Sequence, residues 1–209
     1  RARRRDEVHQ RITEATVHLH GTVGPVRTTV RDIAKHAGVR RATVYNHFPT
    51  DRELFDACSS HWFAENPPPD PAPWADIPDP ARRVQTALAA MYGYYHGGRE
   101  MLENVLRDAP LVPTLNEIME QKWEPLIEGI VGILAEGWFP PDGERTTVDP
   151  EGGEDGPPLP FQPAGNLELR ASLRVSLDFF TWKSLAGSGL SNLEAARLAA
   201  AWVGAGIRM

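Results

Sequence analysis

Between Thr29 and Phe48 the chain reads TVRDIAKHAGVRRATVYNHF, two short apolar stripes separated by one glycine. Val30, Ile33, Ala34 and Ala37 recur on one helical face, and Thr29 with Asp32 three residues on is a helix-start signal. Gly38 stands where a tight turn needs a residue that tolerates positive φ. A following helix over about Arg41 to Phe48 turns Val39, Val44 and Phe48 inward, and Pro49 prevents its continuation. Ala34, Gly38 four residues later and Val44 six after that have the spacing of a helix-turn-helix. The small residue lets the helices cross closely, the glycine makes the turn, and the aliphatic residue anchors the second helix.

The flanks are also helical. Val8, Ile12, Ala15 and Leu19 form one stripe from Arg4 to His20, closed by Gly21. Thr50 with Glu53 starts a fourth helix, carrying Leu54, Phe55, Cys58 and Trp62 and ending near Asn66. The proline-rich segment 66–80 reads as an extended link. Beyond it come ARRVQTALAAMYGYYHG, REMLENVLRDA and a run from about Pro113 to Trp138, which Pro125 should bend or split. Residues 139–166 are rich in Pro, Gly and acids and read as a flexible loop. Two last helices are expected over about Leu167 to Ala186 and Asn192 to Ile207. The first is apolar on two sides, with Leu169, Leu173, Leu177 and Phe180 on one and Val175, Phe179 and Trp182 on another. The second mixes Leu198, Trp202 and Val203 with small residues that let another helix approach. No strand alternation or internal repeat is present. The expected fold is all-α, with an N-terminal three-helix helix-turn-helix DNA-binding domain over residues 1–66. A larger helical domain follows over 67–209.

The net charge of −6 hides an asymmetry. Residues 1–61 hold 11 Lys and Arg against 7 Asp and Glu, so the rest of the chain carries a net charge of −10. A basic head on an acidic body fits a nucleic-acid module attached to something else. The single cysteine, Cys58, excludes an intramolecular disulfide framework, leaves no set of thiols for a zinc site, and reads as a small core hydrophobe. No stretch is long and apolar enough to span a bilayer and no signal peptide opens the chain, so a cytoplasmic location without membrane contact is expected.

With its core face inward, the short helix points Arg41, Ala42, Thr43, Tyr45 and His47 outward. Arg can bond guanine O6 and N7 together, Ala and Thr methyls can touch the thymine methyl, and Thr, Tyr and His can bond phosphate oxygens. A purely solvated face would expose the Tyr45 ring for no gain.

Residues 4–55, on the strength of TTVRDIAKHAGVRRATVYNHFPTDRELF, resemble the DNA-binding domain of the TetR family of transcriptional regulators. The resemblance implies phosphate and sometimes base contacts at Thr29 and Arg31, recognition-helix roles for Arg41, Ala42 and Tyr45, and phosphate contacts for Thr43 and His47. Arg52 stands where the family usually has a lysine for phosphate. Arg40 departs from the family's frequent serine, and since a guanidinium accepts no hydrogen bond, a weaker helix cap and an extra DNA contact are expected there. The opening RARRR reads either as an arm for phosphate or minor-groove contacts or as an uncontacted tail.

Beyond residue 66 the chain resembles the family only in being all-helical. The resemblance implies a homodimer built from the last two helices of each subunit, reading a pseudo-palindromic double-stranded DNA operator. It also implies a small-molecule effector whose binding releases DNA. A pocket for it is expected from Met91, Tyr94, Tyr95, Met101, Trp123, Ile127, Phe179 and Trp182, with His96 as a polar handle. These side chains favour an apolar or aromatic compound. Glu100, Glu103, Glu117, Glu120 and Glu124 would suit a cation, but read mainly as exposed helix faces.

The alternatives are a helical protein-interaction module without sequence-specific DNA binding and, least favoured, an all-α enzyme. There is no His-Glu-x-x-His pair, no Gly-rich phosphate loop and no Gly-x-Ser-x-Gly elbow, and His18 and His20 point to different helix faces. No catalytic residue, metal ligand or cofactor is assigned.

Overall fold

The computed structural model describes residues 2–138 and 165–206, and all regular structure among them is helical. They form two compact units, Arg1–Pro69 with Gly93–Leu126, and Asp70–Tyr92 with Ile127–Met209.

In the first unit, α1 (Ala2–Thr22) packs on α2 (Val30–His36), and α2 packs on α3 (Arg41–His47). Ile12, Ala15, Ile33, Ala34, Ala37, Val44, Phe48 and Leu54 make one buried cluster, as the two apolar stripes require. Both halves of the Thr29–Asp32 capping box form. At the other end of α2, Gly38 adopts φ 65°, Val39 N–H bonds Ala34 O at 2.9 Å, and Gly38 N–H bonds Lys35 O at 3.3 Å. This is a Schellman stop, which sets the sharp angle into α3. Before α2, Gly24 has φ 92°, and a Cβ there would lie 2.5 Å from both Arg107 and Asp108. Only glycine allows that approach. It lets Asp108, on α7 (Arg99–Asp108), accept a hydrogen bond from Val26 N–H at 3.0 Å and pin the turn that presents α2.

Helix α4 (Asp51–Glu65) starts at the Thr50 cap and ends at Asn66, and it packs on α1 and on α8 (Pro113–Lys122). Between α1 and α4, His20 is 4% exposed, and its Nδ1 lies 3.5 Å from Cys58 Sγ. Burial, only partly opposed by the Asp108 charge, lowers the His20 pKa from 6.5 to about 4. Burial also pushes the Cys58 thiol up to about 12, with Lys122 opposing. Between pH 6.5 and 4 the unfolded chain therefore takes up a proton at His20 that the folded chain refuses. Stability present above pH 6.5 should fall by about 3 kcal/mol as pH drops to 4. Urea unfolding across that range checks this, and His20→Gln is expected to flatten the slope.

In the second unit, α6 (Pro80–Gly97, of which residues up to Tyr92 belong here), α9 (Glu124–Ala135, from Ile127), α10 (Gly165–Leu177), α11 (Phe179–Gly187) and α12 (Asn192–Gly206) supply the core. Arg83 of α6 is buried and donates to the carbonyls of Ile77, Ile133 and Glu136. The Tyr92 hydroxyl donates to Ser176 O at 2.7 Å, serving a carbonyl in the last turn of α10.

Two expectations change and a third is met. The single helix over Leu167 to Ala186 is two, because Asp178 leaves helical geometry (ψ 136°) and accepts a hydrogen bond from Thr181 N–H, capping α11. The link over residues 66–80 is not wholly extended: Ala72–Ala75 form the short helix α5, which buries Trp74 to 5% exposure. The run from Pro113 is split as expected, with Pro125 in the first turn of α9, where its missing N–H costs no helical bond. The loop expected over 139–166 lies, as far as residue 164, outside the described residues. No described helix is long and apolar enough to cross a membrane.

Candidate nucleic-acid interface and effector site

The outer face of α3 is built by subtraction. Val44 and Phe48 are buried, so Arg41, Ala42 and Tyr45 face outward, Tyr45 with 46% of its surface exposed. Arg40 begins the helix without a side-chain cap, as expected of a guanidinium, and is exposed. Arg31, on α2, is exposed as well. Three cations and a phenol therefore share the outer surface of a head with a largely aliphatic core.

Four other candidates are less free. The Thr29 hydroxyl is engaged by Asp32, donating to its carboxylate at 2.5 Å and accepting from its N–H at 3.2 Å. That hydroxyl bond, more than the bond from Thr29 N–H, holds the Asp32 carboxyl below the usual carboxylate range. Thr43 is half-buried. His47 does not point fully outward: it is half-buried, its ring lies 6.0 Å from that of His9 on α1, and its buried Nδ1 has no partner among the described residues. Burial first, then the neighbouring His9 and Arg5, lowers its pKa, so the neutral ring is favoured. Arg52 reaches Glu117 and Gln121 on α8, at 2.8 and 2.7 Å.

The candidate effector residues divide between the units. In the first, Tyr94, Tyr95 and Trp123 form a ring cluster with Trp62 and Phe63, with neighbouring centroids 5.2 to 6.4 Å apart. The Tyr94 hydroxyl is buried there without a hydrogen-bond partner among the described residues. Met101 is half-buried and His96 exposed. In the second unit Met91, Ile127, Phe179 and Trp182 are buried, and the last two rings pack at 5.4 Å. Trp62 and Phe63 were not among the candidates, although adjacent aromatics on α4 are a visible signal. Of the acids weighed for a cation, Glu117 meets Arg52, Glu120 accepts from Asn116, and Glu103 lies 4.0 Å from Arg99.

Residues 12–58 match the pattern of the bacterial regulatory proteins of the tetR family. No curated protein matches the chain. Among solved structures, a TetR-like transcriptional regulator from Rhodococcus sp. RHA1 shares the fold at a TM-score of 0.57 and 20% identity, covering 96% of both chains. A TetR transcription regulator from Haloarcula marismortui aligns at a TM-score of 0.55 and 18% identity, covering 96% of this chain and 98% of its own. Residues 12–58 are thus a domain of the tetR family of bacterial regulatory proteins, on a chain with the fold of TetR-like transcriptional regulators.

Proposed function

We propose that the protein is a ligand-responsive transcriptional repressor, reading a pseudo-palindromic operator as a homodimer and releasing it when a small apolar or aromatic effector binds. The observation that carries the DNA-reading part is the outward set Arg40, Arg41, Ala42 and Tyr45 on a short helix fixed behind the Gly38 stop, within the matched residues 12–58. In this reading residues 1–66 are the reading domain, residues 67–209 serve the effector and the dimer, and the protein acts in the cytoplasm without catalysing a reaction. The ring cluster with its orphan Tyr94 hydroxyl supports an aromatic effector able to accept a hydrogen bond. Exposed Val175, Phe180, Leu198 and Trp202 on α10, α11 and α12 support the dimer.

Selection of random duplexes on the purified protein, followed by anisotropy titration of the enriched site at two salt concentrations, tests this. Recovery of a palindrome, with log K falling by about 0.9 per phosphate neutralised for each decade of salt, is expected. No enrichment would leave α3 a polar surface and favour the interaction-module reading. Arg41→Ala should relax the preference at one base pair, by about 1–3 kcal/mol. Tyr45→Ala should instead weaken binding across all sequences. A uniform loss in the Arg41 variant would refute its base-reading role.

A further inference from the structure

The first unit contains a cavity remote in kind from a DNA-reading surface. Its volume is about 30 Å³, room for about one water and far below the roughly 300 Å³ at which drug-sized sites begin. Four residues able to donate to a soft ion line it from four helices: His20 on α1, Cys58 on α4, Met101 on α7 and Met119 on α8. The chain's single cysteine and two of its four methionines thus meet at one small void. His20 Nδ1 and Cys58 Sγ are 3.5 Å apart. Bonds of about 2.0 and 2.3 Å to one ion, at a tetrahedral angle, would place nitrogen and sulfur roughly that far apart. Phe55 stacks on the His20 imidazole at 5.3 Å, and Trp62 adds a further apolar wall.

The geometry points to a buried site for one soft monovalent ion, copper(I), held by Cys58, His20, Met101 and Met119. Thiolate and thioether donors select copper(I), whereas hard oxygen-seeking ions find only the Ser59 hydroxyl there. Charge selects in the same direction. A monovalent ion on one thiolate is neutral overall, while a divalent ion would leave a positive charge among apolar walls, at a large desolvation cost. Binding moves no electron. The Cys58 sulfur bonds the ion, the thiol proton leaves to solvent, and the His20–Cys58 hydrogen bond gives way to two metal bonds.

The test is made on the whole protein without DNA, so its failure is separate from failure of the operator reading. Copper(I) is titrated anaerobically against the chromophoric chelator bicinchoninate, while near-ultraviolet absorption follows thiolate-to-metal charge transfer. One ion per chain is expected, withheld from the chelator. Cys58→Ser should abolish the absorption band. Met101→Leu and Met119→Leu should each lower affinity by at least about tenfold, no less than the loss of an outer-shell partner costs. These two swaps conserve volume and should keep the fold, which circular dichroism checks, so they carry the test even if Cys58→Ser misfolds. The site is refuted if no ion is withheld, if zinc(II) binds more tightly than copper(I), or if both methionine variants bind like the parent, which would reduce the site to a reactive thiol.

Discussion

Trp202→Asp is expected to convert the proposed homodimer into monomers and to lower operator affinity by about a hundredfold or more. The basis is the distribution of side chains on α12. Ala195, Ala196, Ala199 and Val203 are buried within the second unit, yet Leu198, Ala201, Trp202 and Ala205 form a second stripe that remains exposed, Trp202 at 45%. The spacing i, i+3, i+4, i+7 is that of a face built to meet another helix, and the alanines allow close approach. In an isologous interface one substitution acts twice, since each copy places the new carboxylate against its partner. A charge buried there without a partner costs about 3–5 kcal/mol, enough to empty the dimer at micromolar concentration. Each monomer would then bind a half-site alone, without the effective concentration that joins two heads. Sedimentation gives the mass and anisotropy the affinity. A variant that stays dimeric would mean that the subunits meet elsewhere.

How far the chain could be read before folding depended on whether a feature is set locally. The Thr29 and Thr50 caps, the Gly38 stop, the Pro49 break and the split near Pro125 are decided within a few residues, and each forms as the sequence predicts. The Asp178 break was not legible, because one acid inside a helical pattern looks the same whether it faces solvent or caps the next helix. The partial burial of His47 was hidden for a related reason. Its position on α3 suggests an outward ring, but His9 on α1 lies beside it, a contact that spacing along α3 cannot reveal. The outward face of α3 was the legible part of the candidate site, since burying Val44 and Phe48 forces Arg41 and Tyr45 out. The surroundings of the candidate effector residues were not, because ring contacts such as Tyr94 with Trp62 and Trp123 join distant segments. Gly24 belongs with them, since its close approach to Arg107 and Asp108 exists only once α7 is in place.

Arg83 shows how much a long-range contact can carry. In the sequence it is simply the second arginine of ARRV, and in the fold it is 5% exposed. Its Nε and Nη2 donate to Ile77 O at 3.0 and 2.8 Å, and its Nη1 to Ile133 O at 3.1 Å and Glu136 O at 2.8 Å. Two of these carbonyls lie at the C-terminal end of α9, where only a long bond of 3.4 Å from Glu136 N–H reaches Ile133 O and where the helix dipole favours a cation. The guanidinium therefore closes α9 and ties it to α6 with one planar group. Arg83→Met keeps much of the volume but leaves three carbonyls without this donor, each at about 1–3 kcal/mol if water cannot reach it. Some relaxation will admit water, so a loss of about 3–5 kcal/mol in unfolding free energy is expected. Arg83→Lys should recover part of it, because an ammonium keeps the charge at the helix end but cannot span all three acceptors. Urea unfolding of the three proteins measures both differences. A methionine variant as stable as the parent would show that solvent can replace these hydrogen bonds, and that the α6–α9 contact is held by its apolar residues alone.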